Sequence, residues 1–274
     1  MRGWLRLCFC VVAAAAALSA QARGRPDTLS VVTLNLWHDK ADWPRRQALI
    51  VSALKQLRPD VIALQEVLQH EGLPNQAQTL AAALGYRYVF ASVDPPEHLR
   101  RYGNAVLTRH PILVQEWKPL RPADDYRTAL HLRLAIGARR LDVYATHLAF
   151  EAGGGRVRGE QVDDLLAWRD ATSQGAASIV VGDFNAPANA PEFAPLAARY
   201  RDAYDTRHPD AAQDAREHST LNLKYYAPLR IDHVMFDPAR FAVVEAGRMF
   251  DRADRHGTWA SDHYGVLATL RWLD

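Results

Sequence analysis

The residues equipped for chemistry are acids, amides and histidines that stand where apolar runs end. Asn35 follows Val31-Val32, and Glu66 follows Val61-Ile62-Ala63-Leu64. His147 closes Leu141–Ala145, Asp183 and Asn185 follow Ile179-Val180-Val181, and Asp262-His263 precede a final apolar run. The oxygens of Glu66, Asn35 and Asp262 are hard donors suited to Mg²⁺ or Mn²⁺. Asp183 can orient or deprotonate a water, and Asn185, two residues on and on the same side of an extended segment, can donate to an oxyanion. His147 and His263 can move a proton near neutral pH. Asp232, between apolar neighbours in Arg230-Ile231-Asp232-His233-Val234, is expected to be buried and to fix a histidine tautomer. His233 should face the other side of its strand.

Taken singly, each residue has an architectural reading. An acid after a strand can cap a helix, D-x-N can form an Asx-turn, and a histidine in T-H-L can be a hydrogen-bonded core residue. Their repetition at strand ends favours a site built on a rigid sheet, since a lone polar end would merely be solvated.

The elements that must hold them alternate at first. Leu29–Leu36 reads as a buried strand, and Pro44 opens a helix over Arg45–Leu57, with Leu49, Ile50, Ala53, Leu54 and Leu57 on one face. Val61–Gln65 is the next strand, and Gln76–Leu84 a helix closed by Gly85. A mostly β middle follows: Tyr86–Ser92, Asn104–Thr108, Ile112–Pro119, Thr128–Ile136 and Arg140–His147, the last two joined by a hairpin at Gly137-Ala138. After the Gly153-Gly154-Gly155 loop come a helix over Val157–Ser173 and a strand over Ser178–Val181. Strands at Arg230–Phe236, Ala242–Arg248 and Tyr264–Trp272 complete the chain. Many antiparallel strands with covering helices imply two packed sheets between helical layers.

The ordered series Asn35, Glu66, His147, Asp183/Asn185, Asp232 and Asp262/His263 resembles the motifs of the endonuclease/exonuclease/phosphatase superfamily across nearly the whole chain. The resemblance implies a four-layer α/β/β/α sandwich with two mostly antiparallel sheets, and metal-dependent hydrolysis of phosphate esters at one rim. By it, Glu66 binds the metal directly, with Asn35 and Asp262 assisting. Asp183 aligns the attacking water, Asn185 holds a non-bridging oxygen, His263 oriented by Asp232 contacts the phosphate, and His147 acts near the leaving group. Gly103–Arg109 is similar to the family's G-N-A-x-L-S-R strand, which makes Asn104 a candidate phosphate contact. Arg127 is a second candidate, through its planar fork. Arg158, Gln161 and Thr220 resemble positions of architectural role.

Processing and composition narrow the setting. Arg2 and Arg6, the apolar Leu7–Leu18 and Ala20-Gln21-Ala22 have the form of a cleaved export signal over residues 1–22, leaving 23–274 as the expected catalytic domain and a periplasmic or secreted location. Both cysteines, Cys8 and Cys10, leave with it, so neither a disulfide nor a thiolate metal site is expected. The formal net charge of +2 falls to neutral, because the segment carries two arginines and no acid. A neutral chain lacks the global basic field of a general nucleic-acid binder, which favours a small or lipid phosphodiester. The alternative is a secreted nuclease on DNA or RNA, with Arg100-Arg101, Arg121, Arg127, Arg156 and Arg158 as a phosphate track. A sphingomyelinase-type lipid phosphodiesterase and a non-catalytic binding module are further readings. A monomer without an obligate protein partner is expected.

Overall fold

Residues 27–123 and 125–273 are described by a computed structural model; the export-signal reading of residues 1–22 falls outside them. Twelve strands form two six-stranded sheets among the described residues. The first contains β1 (Thr28–Asn35), β2 (Val61–Gln69), β3 (Arg87–Ala91), β4 (Arg101–Thr108), β11 (Phe241–Met249) and β12 (Gly265–Trp272), in the order β11-β12-β1-β2-β4-β3. The second contains β5 (Ile112–Pro119), β6 (Thr128–Ile136), β7 (Arg139–His147), β8 (Ala177–Asp183), β9 (Arg201–Asp202) and β10 (Asp232–Phe236), in the order β5-β6-β7-β8-β10-β9. Helices α1 (Trp43–Leu57) and α2 (Gln76–Leu84) cover the first sheet, and α3 (Gly155–Thr172) with the short α4 (Ala194–Ala197) covers the second. A short α5 (Ala203–Arg207) follows β9.

Alternation along each strand decides what faces what. Leu29, Val31, Val61, Ala63 and Val106 meet Leu130, Leu132, Val143, Ile179, Val181 and Val234 between the sheets. Their neighbours Val32, Leu34, Ile62 and Leu64 pack outward under Ile50, Leu54 and Leu80 of the helices. On the far side Tyr144 and Val180 pack outward against Val162, Leu165 and Leu196. Continuous apolar runs are therefore buried on both faces, each Val, Leu or Ile contributing about 1.5–3 kcal/mol by full burial. The layers are helix, sheet, sheet, helix.

Each sheet has one parallel pair at its centre: β1 with β2, connected through α1, and β7 with β8, connected through α3. Every other pairing is antiparallel. In a βαβ unit both strands point the same way, so both carboxyl ends open on one rim. The starts of β10 and β12 reach the same rim, because Asp232 stands opposite Asp183 and Val266 opposite Thr33. Helix ends are set locally: Asp42 Oδ1 accepts from Arg45 N–H, Asn75 Oδ1 accepts from Gln78 N–H, and Gly85 closes α2 in the left-handed region.

Two interior features hold the rim in shape. Gly182 takes φ +150° between β7 and β10, where a β-carbon would meet the Thr146 carbonyl oxygen at 1.9 Å. Arg46, on the stripe of α1 that includes Ile50 and Leu54, is 1% exposed. Its guanidinium donates to the carbonyls of Leu36, His38 (3.3 Å), Lys40 (3.0 Å) and Ala260 (3.1 Å). It also lies 5.3 Å from the Trp37 ring and 5.2 Å from the Trp43 ring. One buried cation thus clamps the loop after Asn35 to the segment before Asp262.

Gly182→Ala should lower unfolding stability by more than about 3 kcal/mol in urea titration, since backbone rather than a flexible side chain blocks the methyl. A midpoint equal to wild type would refute the crowding. Arg46→Met should cost about 3 kcal/mol or more by stranding four carbonyls, with Arg46→Lys between it and wild type. A thermal-unfolding cost below about 1 kcal/mol would show that the clamp is dispensable.

Candidate active site

At the shared rim the side chains from both sheets enclose a cavity of about 670 Å³. Asn35, Glu66, His147, Asp183, Asn185, Asp262, His263 and Arg127 all line it. Asp232 sits directly behind, fully buried. The centre is a chain of contacts crossing from sheet to sheet. Asn35 Nδ2 donates to Asp183 Oδ2 (3.0 Å), and Trp37 N–H donates to Asn35 Oδ1 (2.9 Å), fixing which way the amide points. His263 Nδ1 donates to Asp232 Oδ2 (2.9 Å) and lies 4.0 Å from Asp183 Oδ2. His147 Nε2 lies 3.4 Å from that same Asp183 oxygen.

Local backbone aims these groups. The β2–β4 register shifts between Leu64 and Val67, a bulge that puts Glu66 at φ 56°. Such a bulge redirects one side chain out of the pleat, here into the cavity. Asn185 also adopts positive φ (54°); its N–H donates to Asp183 Oδ1 (2.9 Å) and its Nδ2 to Leu148 O (2.9 Å). Asx geometry and orientation of the catalytic candidate are therefore one arrangement. Thr220 Oγ1 accepts from the N–H groups of Ile231 (2.9 Å) and Asp232 (3.2 Å), which gives that threonine its positioning role. Gln161 Oε1 accepts from Ala149 N–H (2.8 Å), and Arg158 donates to Ala149 O (3.2 Å) and Glu192, so both brace the loop after His147.

Burial and like charge set the protonation states. Burial raises the Asp183 carboxyl well above the usual carboxylate range, and the Asp232 charge pushes it further. Burial opposes charge on His263, but the Asp232 carboxylate more than compensates and carries the imidazole up to about 10. His147 is held well below its ordinary value by burial and by Arg127. Asp262 is raised by burial and by the nearby Glu66 charge, while accepting from Tyr226 (3.0 Å) and Ser261 (3.2 Å). One imidazole is thus a cation and the other neutral, with a carboxyl poised to take a proton between them.

The donor set fits a hard divalent cation. Asn35 Oδ1, Glu66 and Asp262 offer oxygen alone, and the mutual repulsion of Glu66 and Asp262 is what a cation between them would relieve. Asp183, Asp232 and His263 also bring ligand atoms within 4.8 Å of one another, but their closest contact has charge-assisted hydrogen-bond length.

Several expectations from the sequence are redrawn. Asn104, read as a phosphate contact, stays between the sheets, its Nδ2 donating to Thr128 O (3.1 Å) and Oγ1 (3.0 Å). Arg156 and Arg158, read as part of a phosphate track, pair with Glu160 and Glu192, whereas Arg100 and Arg127 do line the cavity. His147, read as acting near the leaving group, instead lies 3.4 Å from the same Asp183 oxygen that Asn35 contacts. His233 points away, between Asp202 (2.8 Å) and Ala186 O (3.0 Å), as the strand period requires. The sequence reading missed His38, whose Nε2 meets Glu66 Oε2 at 3.1 Å, and Tyr102, whose hydroxyl lies 3.5 Å from His147 Nδ1. His38 follows Asn35 by three residues in N-L-W-H, the available signal; Tyr102 carries none.

The Endonuclease/Exonuclease/phosphatase family profile matches residues 32–263. No curated protein matches the chain by sequence. Among solved structures it is similar to the human Nocturnin catalytic domain with bound sulfate anion (20% identity, TM-score 0.73, covering 90% of this chain and 94% of that one). It is similar to D. rerio TDP2 complexed with single strand DNA product (20%, 0.71, 90% and 100%). It also matches a family protein from Leptotrichia buccalis C-1013-b (18%, 0.71, 88% and 98%). At such identities these likenesses speak for the fold, while the profile spans most of the sequence and every strand end just described. The chain belongs to the endonuclease/exonuclease/phosphatase family, and is a metal-dependent hydrolase of phosphate esters.

Proposed function

We propose that this chain is an exported phosphodiesterase that uses Mg²⁺ or Mn²⁺ and cleaves by in-line attack of water. The observation that carries this reading is the contact chain Asn35–Asp183 beside Asp232–His263, sharing one cavity with Glu66 and Asp262. Glu66, Asn35 and Asp262 would hold the cation, which when bound supplies Lewis-acid polarisation of the phosphate. The remaining chemistry belongs to the protein. Asp183, with its raised carboxyl, orients the water and receives its proton. Asn185 keeps one amide hydrogen for a non-bridging oxygen, since the other is committed to Leu148. His263, held cationic by Asp232, faces the charge that develops on the phosphoryl oxygens. Neutral His147 stands beside Asp183, on the side of the attacking water, and Arg127 lines the same cavity. A binding module on a retained fold is disfavoured, because no chemical group of the series is missing. A nuclease reading gains from the rings and arginines around the cavity mouth.

Glu66→Ala, Asp183→Ala and His263→Ala should each lower kcat/KM on bis-p-nitrophenyl phosphate by about 1000-fold or more, with folded circular-dichroism spectra unchanged. Chelator should abolish wild-type turnover and added Mg²⁺ or Mn²⁺ restore it. Full turnover in chelator would sink the mechanism. For export, mass analysis of protein made in a Gram-negative host should find a chain beginning at Arg23; an uncleaved membrane-bound form would refute it.

A further inference from the structure

We propose that Tyr126, Phe150 and Tyr226 form a stacking platform for the nucleobase attached to the scissile phosphodiester, so that the site takes a single-stranded nucleic acid. This rests on the phosphodiesterase reading and adds what lies on the far side of the phosphate.

Three large rings left in water around one cavity need an explanation, since scattered exposed aromatics are ordinary but a convergent group is not. Phe150 is 67% exposed, Tyr126 64% and Tyr226 47%, and all three line the cavity that holds Glu66, Asp183 and His263. Two are tied to catalytic residues by chain position: Phe150 follows His147 by three residues, and Tyr126 directly precedes Arg127. The Arg127 guanidinium, itself buried, stands 5.5 Å from the centre of the Phe150 ring. A largely exposed ring with a buried guanidinium over one face leaves its remaining surface to a base and sets the cation beside the attached phosphate. Arg100 extends the positive charge along the same mouth. The cavity is also larger than a lone phosphoryl group requires.

Lipid insertion is the competing use of exposed rings, and the geometry disfavours it. The rings face a concavity, and Tyr226 is held inward by its hydrogen bond to Asp262. Stacking is sequence-tolerant, so the platform would select for unpaired bases rather than for a sequence. A base inside a duplex presents no free face.

The test uses Asp183→Asn protein, to prevent turnover, and fluorescence anisotropy with a labelled oligothymidylate, the same oligomer made abasic, and a duplex. The base-bearing single strand should bind at least about tenfold tighter than the abasic strand, which carries the same charge. Phe150→Ala and Tyr126→Ala should each erase most of that preference, and Phe150→Trp should keep it. Because both side chains are exposed, thermal midpoints should not move. Thymidine 5′-monophosphate competing as well as the oligomer would overturn the single-stranded nucleic-acid assignment and leave the rings as a platform for a mononucleotide ester. Equal affinity for base-bearing and abasic strands would overturn the proposal. So would ring-dependent binding to phosphatidylglycerol–phosphatidylcholine vesicles without any preference for bases. Wild-type hydrolysis of bis-p-nitrophenyl phosphate reports separately on the phosphodiesterase reading.

Discussion

Carboxylates of like charge gathered at one rim are the constraint to which the rest of the structure answers. Asp183, Asp232 and Asp262 are buried, and Glu66 opens on the same cavity. An unpaired buried carboxylate costs several kcal/mol, so the chain must bring compensating groups or keep protons. It does both. His263 takes up the Asp232 charge, the Asn35 amide answers Asp183, and the Asp183 and Asp262 carboxyls are driven toward their neutral forms. A divalent cation among oxygen donors is the remaining compensation, which makes metal dependence a consequence of the packing.

Two parallel strand pairs make that gathering possible. Their carboxyl ends behave alike: Leu36 N–H donates to Gln65 O and Leu148 N–H to Asp183 O, both at 2.9 Å. One pair contributes Asn35 and Glu66, the other His147 and Asp183. The groups proposed to hold a cation and to handle the water therefore come from different sheets, and the inter-sheet core of Val31, Val181 and their neighbours fixes the distance between them. A shift in how the sheets pack would alter the Asn35–Asp183 contact before it disturbed either sheet.

Much of this could be read from the sequence, and what could not follows a pattern. Val31-Val32, Val61–Leu64 and Ile179–Val181 announce strands because both faces are buried, and the polar residue ending each run marks the rim. β9 escaped notice because two residues, Arg201 and Asp202, have no period of their own and exist through pairing with β10. Arg46 was invisible as a clamp because an arginine on a helix reads as solvated. Its place four residues before Ile50 and eight before Leu54, on the buried stripe, was the overlooked clue. Asn104 misled for the opposite reason: a polar residue in a motif strand was assigned to chemistry, yet it ties β4 to β6. Tyr102 reaches the site from a strand start, a placement set by tertiary packing alone, whereas His38 reaches it through a positive-φ loop three residues after Asn35.

The opposite rim shows why the assignment of function to this end does not rest on motif likeness. Buried acids stand there too: Asp60 with Ser30, Arg109 and His110, and Asp142 with Arg133 beside His131. Burial alone would raise both, but these partners bring each carboxyl below its ordinary value. Those acids are already answered by permanent cations and have nothing left to offer a ligand. At the catalytic rim the same residue type is shifted the other way, because burial of Asp183 and Asp262 outweighs their partners and the Asp232 and Glu66 charges add to it. Within one fold, fully paired carboxylates serve stability, and under-compensated ones retain free energy that a cation and a developing phosphoryl charge can release.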